Sequence, residues 1–178
     1  MESASLARYG LVARGFHWTL ALLIIGLIGL GWYLMGLSYY DRWYYTSLEW
    51  HKALGMAALL IGVLSVCRAI GSRGPEPLAS TAAWERQATR VIHWLLFLMM
   101  VAVPLTGYVI STSAGDGIAI FGWFQVPAVL PKSEALRDLA IELHYYLAYG
   151  TAALVLLHVS AALKHQFIDR DDTLRRML

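Results

Sequence analysis

Histidine is the residue type through which this chain could do chemistry. Six occur, at His17, His51, His93, His144, His158 and His165. Imidazole binds metals and moves protons near neutral pH. His144 and His158 are the most informative pair. Fourteen residues separate them, and at about 100° per residue that returns to within about 40° of whole turns, so one face of a helix carries both rings. A rise of about 1.5 Å per residue sets them about 21 Å apart along the helix axis. A single helix then offers an imidazole near each surface of a membrane, and each needs a partner at matching depth on another helix.

Two imidazoles on facing helices suit low-spin haem iron. They fill both axial positions and let the iron change valence without changing ligands, which disfavours oxygen binding at the metal. Zinc wants four ligands or an open position, and only Glu142, beside His144, accompanies these histidines at a suitable depth. Two-histidine levels therefore favour haem. Cys67 is the only cysteine, which excludes an internal disulfide, a CxxC metal site and the CxxCH attachment motif. A haem here is b-type, held without thioether bonds.

The elements that must position these rings are apolar helices. Of the 178 residues, 58% are hydrophobic and 15% charged, against roughly a quarter charged in soluble domains, and mean hydropathy is +0.55. Four apolar runs cover 16–37, 54–70, 91–110 and 141–163. Each approaches the ~20 residues that cross ~30 Å of hydrocarbon. The predicted helices are 16–37, 48–70, 91–110 and 134–165, forming an all-α integral membrane four-helix up-and-down bundle in one domain, 1–178. The first run is too long for a signal-peptide core, and no A-x-A site follows it. Ser133 reads as the N-cap of the last helix, with Glu134 in its first turn. The stretch 38–49 sets Asp41, Arg42 and Glu49 among Tyr39, Tyr40, Trp43, Tyr44 and Tyr45, an interfacial aromatic belt. Gly71, Gly74, Pro75 and Pro77 mark a loop after helix two. The stretch 111–131 reads as a loop lying on the membrane surface.

Lysine and arginine set the orientation. With the N-terminus inside, the inner segments hold ten (Arg8, Arg14, Arg68, Arg73, Arg86, Arg90, Lys164, Arg170, Arg175, Arg176) and the outer segments four (Arg42, Lys52, Lys132, Arg137). Both termini are therefore expected to be cytoplasmic. The net charge of +2 shows no basic stripe for nucleic acid. Depth then sorts the histidines. His51 and His144 share the outer level. His158 lies at the inner level with two candidate partners, His17 and His93. His165 falls beyond helix four and reads as a solvated interfacial residue. Arg14 and Arg90 each stand one turn outside a histidine, suited to haem propionates or to lipid headgroups. Small residues one turn after the ligand candidates (Ala21, Gly55, Ala148, Ala162) leave room for a porphyrin, whereas Phe97 follows His93. Gly26, Gly29 and Gly31 give helix one scope for close approach and the chain scope for a homodimer.

These residues together resemble the prokaryotic cytochrome b561 family, nearly end to end. The resemblance rests on Arg14–Trp18 with its His-Trp pair; His51 with Gly55, Arg68, Arg73 and Pro75-x-Pro77; His93, Pro104 and Gly107; and His144 with His158. The tail from Leu157 to Gln166 and Phe167, followed by Asp171 to Met177, is its most specific stretch. The resemblance implies two b haems, the inner on His17 and His158, the outer on His51 and His144. It leaves His93 near the inner haem, at a propionate or a quinone headgroup, and adds Arg68 to Arg14 and Arg90 as cofactor-binding candidates. It further implies a bacterial inner membrane, with superoxide oxidised at the periplasmic face and ubiquinone reduced. Lys52, beside His51, and Arg137, two turns before His144, are the cations that would draw in superoxide. The alternative is a cytochrome b subunit relaying electrons between a partner dehydrogenase or redox protein and the quinone pool.

Overall fold

A computed structural model describes residues 8–72, 74–76, 78 and 81–178. The expectations placed on Arg73 and Pro77 lie outside the described residues. Four long helices make the bundle: α1 (Leu11–Met35), α2 (Tyr44–Ile70), α3 (Ala83–Ala114) and α4 (Glu134–Phe167). All four are long and apolar enough to cross a membrane. The ends differ from the predicted ones. α1 starts five residues before position 16, α2 starts at Tyr44, and α3 runs from Ala83 to Ala114 rather than 91–110. Hydropathy finds only the part of a helix that lies in lipid. The added turns carry Arg14, Thr46, Ser47, Glu85, Arg86 and Arg90, polar residues that belong at headgroup level.

Local signals fix several ends. The hydroxyl of Ser133 accepts the Leu136 N–H at 3.3 Å, so the predicted N-cap of α4 is present. The Glu85 carboxylate accepts the Ala82 N–H at 3.1 Å, closing the start of α3. α3 stops at Gly115, whose φ of 90° is left-handed and open to glycine at little cost. The N–H groups of Gly115 and Asp116 then return to the Thr112 and Ser111 carbonyls.

The stretch expected to be a surface loop is a cap with structure. After the last turn of α3 come strands β1 (Ile118–Ile120) and β2 (Phe124–Val126), paired antiparallel with Ile118 opposite Val126. Phe121 (φ 49°) and Gly122 (φ 74°) form the turn, the type I′ geometry that suits the twist of a hairpin. Thr112 is fully buried, and its hydroxyl accepts the N–H groups of Val129 (2.8 Å) and Leu130 (3.1 Å). The ring of Phe121 packs 5.2 Å from Trp50, so the hairpin sits on the start of α2, beside His51. This is the hairpin end of the bundle.

The chain termini meet at the opposite end. The Tyr9 N–H donates to the Arg176 carbonyl at 3.0 Å, Trp18 Nε1 to the Met177 carbonyl at 3.0 Å, and Arg14 to the Leu178 carbonyl. Lys164, near the end of α4, bonds Glu85, near the start of α3, at 2.7 Å. The helices therefore run up and down. Packing is uneven: α3 lies along α4, α1 along α2 and α2 along α3, but α1 and α4 barely touch.

Candidate functional site: two layers of facing histidines

The loosely packed side of the bundle is where the histidines face one another. Near the hairpin end, the rings of His51 (α2) and His144 (α4) lie with centroids 6.1 Å apart. Near the termini, His17 (α1) and His158 (α4) are also 6.1 Å apart. α4 thus presents both of its rings to the interior, as their spacing required. His93 (α3) joins the second layer, 5.3 Å from His158. The layer near the termini therefore holds three imidazoles and the layer near the hairpin two.

A metal held by opposed imidazoles, at about 2.0 Å from each nitrogen, sets the ring centroids about 6.3 Å apart. Both 6.1 Å pairs match that span, whereas His93 and His158 are closer than it allows. Room for a flat macrocycle is also present. A Cβ added at Gly55, one turn past His51, would meet nothing within 4 Å. The donor sets and the space fit a b-type haem in each layer.

The ring of His144 rests in a socket on α3. Its Nδ1 lies 3.0 Å from the Val103 carbonyl and 3.1 Å from the Thr106 hydroxyl. A carbonyl only accepts, so Nδ1 carries the proton and Nε2 is left with its lone pair, the tautomer a metal needs. Gly107 makes the socket possible: a Cβ there would stand 3.3 Å from His144 Cε1. On α1, Gly31 faces His51, where a Cβ would just touch Cε1 at 3.4 Å. His51 Nδ1 is buried with no hydrogen-bond partner. Thr106 was not singled out by sequence. Its only signal was a hydroxyl three residues after Val103 on an otherwise apolar face.

The flanking cations are placed as follows. Arg14 is engaged by the chain's last residue, Leu178. Arg68 donates to the Ser72 hydroxyl at 3.2 Å, and Arg90 to the Arg86 carbonyl at 3.4 Å. Lys52 is half-buried and Arg137 exposed, and neither forms a salt bridge among the described residues.

His165 is not the solvated residue expected. It is buried, 8% exposed, and its Nδ1 lies 2.9 Å from Asp171 and 3.0 Å from Asp169. The chain turns back after α4 and delivers both carboxylates to the ring, a reversal that helical spacing does not foretell. Glu85, His165 and Asp169 bring three ligand-type atoms together, but the Lys164 ammonium already bridges Glu85 and Asp169, at 2.7 Å from each.

Known proteins similar to this chain give its family. Over 171 residues the chain is 43% identical to "Cytochrome b561 homolog 2" of Escherichia coli (strain K12), covering 96% of this chain and 91% of that protein. It is 28% identical over 151 residues to "Cytochrome b561 homolog 1" of the same organism, covering 83% and 81%. It is 27% identical over 177 residues to "Probable superoxide oxidase CybB" of Yersinia pestis, covering 96% of both. The family profile for prokaryotic cytochrome b561 matches residues 8–178. A helical bundle built to cross a bacterial membrane, with histidines facing one another inside it, is thus a haem b electron-transfer protein, and the chain belongs to the prokaryotic cytochrome b561 family.

Proposed function

We propose that this single-domain chain carries electrons across a bacterial inner membrane through two b haems, one held by His51 and His144, the other by His17 and His158. The observation that carries this reading is the repeated 6.1 Å separation of the two ring pairs, on helices that otherwise scarcely touch. When bound, the two irons supply one-electron carriage between the membrane faces, changing valence but not ligands. The chain does the rest. The four imidazoles would hold the two haems, one pair to each, and would leave no open position on the metal for oxygen. The Val103 carbonyl and Thr106 hold His144 in its metal-binding tautomer. Gly31 and Gly107 let α1 and α3 approach the rings. The apolar helices keep water from the path. His93, third in its layer and too close to His158 to share a metal with it, is left for a propionate or a quinone headgroup, with Arg14, Arg68 and Arg90 as the neighbouring cations.

At the hairpin end, taken as periplasmic, two superoxide anions give up one electron each and leave as two molecules of oxygen. At the other face a ubiquinone takes the two electrons with two protons and becomes quinol. A relative named a probable superoxide oxidase supports this donor. Lys52 and Arg137 are cations that would raise the local concentration of an anion. The second reading is a subunit passing electrons from a partner dehydrogenase or redox protein to quinone. The aromatic surface at the hairpin end, with Trp123 88% and Tyr40 99% exposed, suits docking as well as membrane contact. Gly26 and Gly29, where an added Cβ meets nothing, leave α1 able to pack against a second copy.

Three measurements test this. Purified protein should show a Soret band and two haems per chain; colourless native material excludes the proposal. His144→Ala should lose one haem and keep the other, and His93→Ala should keep both. Loss of a haem in His93→Ala, with both kept in His17→Ala, reverses the assignment at the terminal layer. Superoxide should reduce the haems, and added ubiquinone should reoxidise them. If superoxide reduces neither, the subunit reading takes its place.

A further inference from the structure

The two layers differ in how their ring nitrogens are held. His144 Nδ1–H faces two oxygens, the Val103 carbonyl at 3.0 Å and the Thr106 hydroxyl at 3.1 Å. Thr106 donates its own proton to the same carbonyl at 2.7 Å, so its lone pair is turned to the imidazole. Among the described residues no hydrogen bond reaches the rings of His17, His93 or His158; their ring contacts are with one another and with Trp18. A hydrogen bond from the far nitrogen of a metal-bound imidazole raises its basicity, and a more basic ligand favours the oxidised metal.

We infer that Thr106 and the Val103 carbonyl bias the direction of electron transfer, by lowering the reduction potential of the haem at the hairpin end relative to its partner. This rests on the two-haem reading above. Thr106 is a positioning residue, acting on the metal only through His144. The bias makes transfer from the hairpin end toward the termini the downhill direction. It asks nothing of the second layer except that its ligands lack such an acceptor. Gly107 belongs to the same device, since a Cβ there would crowd the ring at 3.3 Å from its Cε1.

The test is redox titration of the full-length protein, read by optical spectrum and by the electron paramagnetic resonance of the ferric state. Thr106→Val keeps the branched shape and removes one of the two acceptors. The Val103 carbonyl has two lone pairs, so the hydroxyl it loses was not displacing the ring. The expected result is a positive shift of one haem's midpoint potential, with its ferric resonance altered, the other haem unmoved and both haems retained. Repeating the substitution in a His158→Ala background, which keeps only the haem at the hairpin end, should show the same shift on the single remaining centre. Thr106→Ser should restore the native value. Two retained haems with no shift, a negative shift, or a shift confined to the other centre overturns the inference and leaves the two-haem reading intact. Wild-type protein without two haems overturns both.

Discussion

Gly107 and Gly150 lie on adjacent helices, and a methyl group would meet different surroundings at each. At 107 it would stand 3.3 Å from His144 Cε1; at 150 it would meet nothing within 4 Å. Gly107→Ala should push the ring off the Val103 carbonyl and lower haem content at that layer, with an overpacking cost of about 1–3 kcal/mol. Gly150→Ala should leave haem content unchanged and stabilise the helix by up to about 1 kcal/mol. Haem-to-protein ratio and thermal unfolding of the two variants check this; equal haem loss in both would remove the socket argument. Sequence showed the pairing of 144 with 158, because helical periodicity alone puts them on one face. Spacing alone did not show whether His17 or His93 faces His158, because both open a helix at the same depth. Both rings face His158 in the structure, at 6.1 Å and 5.3 Å, and the proposed pairing with His17 rests on the longer span, which suits an intervening metal. His165 was read wrongly because its partners arrive by a chain reversal. One of those partners titrates in a predictable sense. Burial alone would raise the Asp171 carboxyl, but the N–H and hydroxyl of Thr173 and the imidazole of His165 outweigh it and hold the group below the ordinary carboxylate range. A depressed folded value means that its stabilisation is complete above the unfolded value, near 4, and is lost as pH falls through the folded one. Docking of the C-terminal segment should therefore weaken in acid. In Asp171→Asn it should be weaker at pH 7 and should no longer change with pH on account of this group. Amide exchange at Thr173, followed against pH, reads it directly.

The elements differ in how well pattern betrayed them. The four helices were legible because lipid demands long apolar runs, and the Ser133 cap because its hydroxyl lies just before a charged first turn. The hairpin was not. Its strands are three residues each, too short for alternation to register, and its turn uses Phe121 with a positive φ, a residue that seldom adopts one. Only Gly122 hinted at the reversal. Besides its two strands the cap is held by Thr112, which ties the last turn of α3 to the segment returning toward α4. Thr112→Val keeps the shape but takes the acceptor from the Val129 and Leu130 N–H groups, each hydrogen bond worth on the order of 1 kcal/mol. The expected outcome is faster amide exchange across 115–133, with the helices below protected as before. Because Phe121 covers Trp50, the neighbour of His51, loosening the cap should also expose that layer and speed its reduction by a water-soluble reductant. Unchanged exchange in the segment would show that the strand pairing and the α2 contact suffice without Thr112.

At the scale of the whole molecule, direction is decided by which end faces the cytoplasm. The termini, the start of α3 and the end of α4 gather at one end, and nine of the thirteen lysines and arginines among the described residues belong to segments of that end. Basic residues near helix ends resist translocation, so that end should stay inside. A fluorescent protein fused after Leu178 should then fluoresce in cells, and a phosphatase inserted near Tyr40 should be active, since each reporter works on one side of the inner membrane only. The prediction bears on chemistry as well as placement. If the hairpin end is periplasmic, the His51–His144 layer meets electrons arising outside the cell, and Lys52 and Arg137 stand where an incoming anion would pass. Their attraction is screened over about 8 Å at physiological ionic strength. Superoxide-driven haem reduction should therefore slow as salt rises, and Lys52→Gln combined with Arg137→Gln should flatten that dependence while leaving reduction by an uncharged donor unaffected. Were the reporters to give the opposite pattern, the layer held by His144 would face the cytoplasm and the donor would have to be sought there. The same histidine pairs would still conduct, but the charges that now look like a collecting surface would be headgroup anchors.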